Sequence, residues 1–184
     1  KYVLFGAAST GSMLYGLSFL YGMTGTTSLP AIQAFLAGGI PEANRFAIYA
    51  ITLLVLAGFG FKIAAVPFHM WTPDVYQGAP TAVTGFMSAG TKVAAFAAFM
   101  RVFNVSFQPI TWDWQPIVWV LAAVSIVAGS VLAIAQTDIK RMLAYSSISH
   151  AGFVLLGLTA AGENGIGAAL FYLVAYSATV IGAF

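Results

Sequence analysis

Four side chains of this sequence can hold or pass a proton in places where ionisable groups are rare: Lys62, Lys92, His69 and His150. Lys62 lies in the apolar segment 46–67 and Lys92 near the middle of another, 81–103. A cation near the centre of a bilayer costs about 2.5–3.5 kcal/mol even on a lenient insertion scale. Such a charge persists where it faces a protein interior or a water-filled path, so these lysines point to the movement of an ion.

Lys62 has a helix breaker close behind it, in the run Gly58-Phe59-Gly60-Phe61-Lys62-Ile63-Ala64-Ala65-Val66-Pro67-Phe68-His69. Pro67 has no N–H for the carbonyl of Ile63 and its ring clashes there, so the helix is expected to kink or break. Gly58 and Gly60 are expected to add backbone freedom just before it. Broken helices at membrane depth line protein cavities, and their freed carbonyls can hold water or ions. The plainer alternative is a packing kink, with Lys62 snorkelling to an interface.

Lys92 is about ten residues, roughly 15 Å of helix, from either end of its segment, too far to snorkel with ease. Its neighbours Ser88, Ala89, Gly90, Thr91, Ala94 and Ala95 are small and let helices and water approach. Desolvation favours the neutral amine and a nearby carboxylate favours the ammonium, so such a lysine loads and releases a proton as its neighbour's charge changes. No carboxylate of this sequence is placed at mid-span, so a partner must come from elsewhere.

His69 and His150 are the two histidines. His150 follows Ser146 and Ser149 about halfway along its segment, where hydroxyls and an imidazole on nearby faces suit a hydrated proton relay. An interhelical hydrogen bond worth about 0.6 kcal/mol is the structural alternative. Bis-histidine haem ligation is a third chemistry, supported by nothing else in the chain. Thr72-Pro73-Asp74 reads as N-cap, first-turn proline and dipole-matched acid of a short helix. Asp138 lies at a span end, Lys140-Arg141 reads as a cytoplasmic anchor, and Glu163-Asn164 as an exposed turn.

The elements that must position these groups follow from composition. Of 184 residues 60% are hydrophobic and 7% charged, with mean hydropathy +0.92. Soluble domains carry roughly a quarter charged residues, so the class is an all-α polytopic membrane protein. Six segments are long enough to cross about 30 Å of hydrocarbon: 2–23, 46–67, 81–103, 117–136, 139–160 and 166–184. Between the first two, the apolar stretch 31–36 reads as an interfacial helix. The connection 104–116 reads as turn-like, with Trp112, Trp114 and Trp119 suiting a headgroup belt. Lys1, Lys140 and Arg141 on one side, against Arg45 and Arg101 on the other, favour a cytoplasmic N-terminus.

With no cysteine, disulfides, thiolate-held iron–sulfur clusters and covalent haem are excluded within this segment. No basic cluster larger than Lys140-Arg141 suggests nucleic acid. There is no phosphate loop, dinucleotide fingerprint or metal-ligand spacing. A start at Lys1 and an end still reading as helix interior are expected of an internal piece of a longer chain, here a single transmembrane domain fragment over 1–184.

Two stretches carry a family resemblance. Residues 61–80, from Phe61-Lys62 through Val66-Pro67-Phe68-His69-Met70-Trp71-Thr72-Pro73-Asp74-Val75-Tyr76-Gln77-Gly78 to Pro80, closely resemble the central motif of the antiporter-like subunits of NADH–quinone oxidoreductase, respiratory complex I. Ile139-Lys140-Arg141-Met142-Leu143-Ala144-Tyr145-Ser146-Ser147-Ile148-Ser149-His150 resembles their second signature. The resemblance covers nearly the whole chain. It implies a piece, the sixth to eleventh helices, of a fold with about fourteen helices in two inverted repeats, each with a broken helix, related to Mrp-type sodium/proton antiporters.

On that resemblance Lys62 is the lysine of the first broken helix, partnered by a glutamate one helix upstream. Lys92 is the connecting lysine, and His150 belongs to a central hydrophilic axis, with a second broken-helix lysine further on. The expected activity is proton translocation across a bacterial inner membrane, driven by electron transfer to quinone elsewhere in a translocase complex. Lys62, Lys92, His150 and His69 would lie on the proton pathway. No NADH, flavin or metal is expected on this chain, quinone and NADH being used by the complex and quinone not placed by the sequence. Its partners would be other membrane-arm subunits and the bilayer. The alternatives are a stand-alone Mrp-type exchanger, a ferredoxin-fed photosynthetic homologue of the complex, and a membrane scaffold whose lysines are structural.

Overall fold

The computed structural model describes residues 2–160 and 162–184, with the side chain of Glu163 outside the description. Six of its helical segments are long and apolar enough to cross a membrane. Helix α1 (Tyr2–Thr24) is followed by the short α2 (Leu29–Ala37), which carries Pro30 in its first turn and occupies the place expected of the interfacial helix. Helix α3 (Glu42–Ile63) stops abruptly, and a 3₁₀ turn (Phe68–Trp71) leads into α4 (Thr72–Gly78). Helix α5 (Thr81–Phe86), a π-helical turn (Met87–Thr91) and α6 (Lys92–Arg101) form one continuous span, closed by a second π turn (Val102–Ser106). Helices α7 (Thr111–Ile134), α8 (Ile139–Thr159) and α9 (Glu163–Ala183) complete the bundle.

Several boundaries move from their expected places. Helix α7 begins at Thr111, so Pro116 sits inside its second turn rather than closing a loop. One proline there forfeits one backbone bond near the helix start, which a long apolar helix tolerates. Trp112 and Trp119 are exposed, but Trp114 is 1% exposed and donates its indole N–H to the carbonyl of Phe107 at 2.9 Å. Its ring stands edge-on to Phe103, so this tryptophan belongs to the core and not to a headgroup belt. Helix α9 opens at Glu163, with Gly162 at φ 96° before it, so the expected turn at Glu163-Asn164 is the first turn of a helix. The orientation count used Lys1, which lies outside the described residues.

Packing is organised around α8, which lies along α7 and also touches α4 and α9, while α1 lies along α3. Glycines set these distances. A Cβ on Gly152 of α8 would stand 2.8 Å from the Ala122 carbonyl and 2.9 Å from the Ile126 amide, both in α7. Close backbone approach is how apolar helices gain attraction in lipid, where burial of apolar surface offers little. Gly58 is used the same way, for the Met13 side chain of α1, and Gly60 makes room for the ring of Phe68. Both lie in regular helix, so their expected role as flexible hinges is corrected to one of clearance.

Candidate proton-pathway site

The break in the second span forms where Pro67 required it. Helix α3 ends at Ile63, the residue whose carbonyl Pro67 could not satisfy. Ala64 then turns the chain in the left-handed region at φ 60°, a conformation costing an L-residue about 1–2 kcal/mol. The Val66–Pro67 peptide is cis. Protein donors occupy two carbonyls of this turn: Ala65 N–H binds Gly60 at 2.9 Å, and Trp71 Nε1 binds Phe61 at 3.0 Å. The Val66 N–H is taken by the Ser125 hydroxyl of α7 at 2.9 Å. The Trp71–Phe61 bond thus ties the 3₁₀ turn back to α3, and the Gly60 and Phe61 carbonyls are not free for water or ions.

Lys62 and Lys92 have opposite surroundings. Lys62, in the last turn of α3, is exposed on this chain and makes no hydrogen bond or ion pair with any described residue. Lys92 is 2% exposed and lies at mid-span, where the π turn hands over to α6. Its ammonium crosses to α8 and donates to both the carbonyl and the hydroxyl of Ser147, at 2.7 and 2.5 Å. A π turn adds one residue per turn and re-aims the side chains after it, and such turns recur at functional sites. Ser88, Gly90 and Thr91, small residues expected to let helices and water approach, form this turn.

His150 lies one turn beyond Ser147, on the same face of α8. Its Nδ1 is 2.6 Å from the hydroxyl of Tyr172 on α9, and the rings of Phe153 and Tyr176 flank it. Ser146, Ser147, His150, Tyr172 and Tyr176 line a cavity of about 220 Å³ between α8 and α9. Ser149 was expected beside His150 but points the other way, with its hydroxyl 3.0 Å from that of Ser130 on α7. Successive helical residues are rotated by about 100°, so Ser147 rather than Ser149 shares the face of His150. His69 stands apart on the 3₁₀ turn, half-buried, with its Nδ1 buried and without a partner among the described residues. Those residues contain no group of three or more His, Asp or Glu side chains placed to hold a metal ion.

At the end of the site Arg141 is more than an anchor. Its guanidinium binds Asp74 of α4 at 2.9 Å and Gln77 at 3.2 Å, while its Nε reaches Gln136 at 3.1 Å. Lys140 donates to the carbonyl of Ala79 at 3.0 Å. The basic pair therefore ties the C-terminal half of the broken span to the start of α8, which Asp138 caps through the Arg141 N–H. Thr72 is already helical and its buried hydroxyl caps nothing, Trp71 holding the N-cap position instead. Replacing Arg141 by Ala is expected to cost about 1 kcal/mol, the figure for a solvent-accessible charged pair with hydrogen bonds. Thermal denaturation of the solubilised full-length protein measures this, and an unchanged midpoint would remove the clamp from the account.

The comparisons with known proteins bear on this arrangement directly. The family model described as NADH:quinone oxidoreductase/Mrp antiporter, TM, matches residues 1–184. The chain belongs to this family. It is an all-helical, multi-pass membrane member. NADH-quinone oxidoreductase subunit N of a Parafrankia species is 50% identical over 184 residues, which cover all of this chain and 35% of that protein. A chain of respiratory complex I from Thermus thermophilus, solved with bound aureothin, is 39% identical with a TM-score of 0.78, over 98% of this chain and 37% of that one. A chain of the Mrp complex from a Dietzia species is 25% identical with a TM-score of 0.86, over 98% of this chain and 32% of that one. The chain thus spans about a third of the length of the relatives it matches.

Proposed function

We propose that this family member is part of a subunit-N-like membrane-arm subunit of NADH–quinone oxidoreductase, and that it carries protons across a bacterial inner membrane. The observation that carries the reading is Lys92: an ammonium 2% exposed at mid-span, held by uncharged Ser147, one helical turn from His150. An unpaired buried charge is costly, so a lysine kept there is explained best by a proton that comes and goes. The chain's own residues supply the stations. Lys62 holds a proton beside the broken helix, facing the remainder of the longer protein, from which a carboxylate biases it. Lys92 receives the proton in the bundle interior, His150 takes it on toward α9, and His69 serves the entry side. NADH oxidation and quinone reduction take place elsewhere in the complex, and this chain binds neither cofactor nor metal.

The Mrp-type exchanger remains a second reading because the backbone follows that neighbour more closely, 0.86 against 0.78. Backbone agreement reports the fold that both branches share. Side-chain identity, 39% against 25%, favours the oxidoreductase branch. Lys62→Ala in the full-length protein tests the pathway. In membranes with the complex intact by immunoblot, quinone-dependent electron transfer and proton uptake are both expected to fall at least about tenfold. Normal pumping would reduce Lys62 to a tolerated lysine.

A further inference from the structure

Ser147 was singled out by nothing in the sequence, yet it holds the centre of the buried polar cluster. Its hydroxyl oxygen accepts from Lys92, which leaves its own O–H free to donate. A helical serine usually turns that hydrogen to the carbonyl one turn back. Among the described residues Ser147 makes no such bond. Two phenols approach its hydroxyl instead, Tyr76 from α4 and Tyr176 from α9, at 0% and 8% exposure. Both hydroxyls are buried, and neither has a hydrogen-bond partner of good geometry among the described residues. A buried hydroxyl without a partner costs about 1–3 kcal/mol, so two of them around a third mark a place for ordered water. The cavity shared by Ser147, Tyr176 and His150, about 220 Å³, has room for several water molecules.

We propose that the Ser147 hydroxyl is the relay between Lys92 and the His150 cavity, with the Tyr76 and Tyr176 phenols holding the water that completes it. This rests on the proton-carrying function proposed above and adds a step to it. A proton leaves Lys92 Nζ for Ser147 Oγ while the hydrogen already on Ser147 passes to the cavity water. One positive charge then resides on the water, Lys92 is a neutral amine, and Ser147 is again a neutral serine with its hydroxyl turned over. The water hands the proton to the His150 imidazole, and rotation of the Ser147 hydroxyl resets the relay. Tyr176 positions the water on the α9 side and Tyr76 on the side of the broken helix.

The test uses membranes carrying the full-length protein in the assembled complex, with Ser147→Ala, Ser147→Thr, Tyr176→Phe and Lys92→Ala. Proton translocation and electron transfer are recorded together. Ser147→Ala is expected to lower translocation by about tenfold or more, and Ser147→Thr, which keeps the hydroxyl, to restore most of it. Tyr176→Phe is expected to slow translocation several-fold without lowering the thermal midpoint, because it removes a hydroxyl that has no direct protein partner. Wild-type translocation in Ser147→Ala and Tyr176→Phe, with Lys92→Ala inactive, overturns the relay alone. Wild-type translocation in Lys92→Ala overturns the proton-carrying function itself. A loss in Ser147→Ala that Thr does not restore assigns Ser147 to packing and also overturns the relay. If Ser147→Ala fails to assemble, Tyr176→Phe decides by the same readout.

Discussion

Replacing Lys92 by Met stops proton translocation while the assembled protein remains at least as heat-stable as the wild type. The two expectations come from the same geometry. Lys92 is 2% exposed, and its ammonium has Ser147 as its hydrogen-bond partner and no ion pair among the described residues. Exchanging a buried charge for an apolar side chain of similar volume is often neutral or stabilising, by about 1–4 kcal/mol. A residue whose removal helps the fold and destroys the activity is there for the activity. Lys92→Arg separates charge from proton loading, because a guanidinium stays charged throughout. It is expected to be as inactive as Met, with a loss of at least about a hundredfold. Paired measurements of proton uptake and electron transfer check both variants, and pumping by the Arg variant would show that fixed charge suffices.

The second large effect is on assembly. Gly152→Leu is expected to remove the protein from the membrane, and Gly152→Ala to lower its thermal midpoint measurably. The Cβ added at Gly152 meets the Ala122 carbonyl at 2.8 Å and the Ile126 amide at 2.9 Å, backbone atoms that cannot rotate away. Overpacking costs roughly 1–3 kcal/mol even where neighbours can shift. Here relief requires α7 and α8 to separate, which also pulls Gly129 from the Ser149 backbone and Ser130 from Ser149. Quantitative immunoblots and thermal scans of solubilised membranes read the outcome. Wild-type amounts and midpoint for Gly152→Ala would mean that the α7–α8 contact is looser than described.

The Lys92 cluster also shows why the site was half legible in the sequence. Burial of Lys92 followed from its depth in an apolar segment, and the break before Pro67 from the chemistry of the imino ring. Those inferences need only one element and its solvent. The partners of Lys92 and His150 come from α8 and α9, more than 20 residues away in each case. Which serine of Ser146, Ser147 and Ser149 faces Lys92 depends on the rotation of α8 about its axis. That rotation is set where Gly152 of α8 meets α7 and Gly129 of α7 meets α8. The π turn before Lys92 is illegible in the sequence for the same reason, since no composition rule marks it and packing against α9 accompanies it.

Hydropathy and segment length are enough to give the class of this protein's elements. Long apolar segments in lipid must be helices, six of them, because each backbone group has to be bonded within its own segment. A proline and two lysines placed inside them marked the span that breaks and the groups with chemistry to do. Tertiary structure alone decided who meets whom: Lys92 with Ser147, His150 with Tyr172, and Arg141 with Asp74. It also left Lys62 exposed on this chain and turned Trp114 into the core. The physical reason is that hydropathy measures transfer from water and is nearly indifferent to which face of a membrane helix meets which neighbour. Small-residue clearance and a few hydrogen bonds make that choice, and they act only once the helices are side by side.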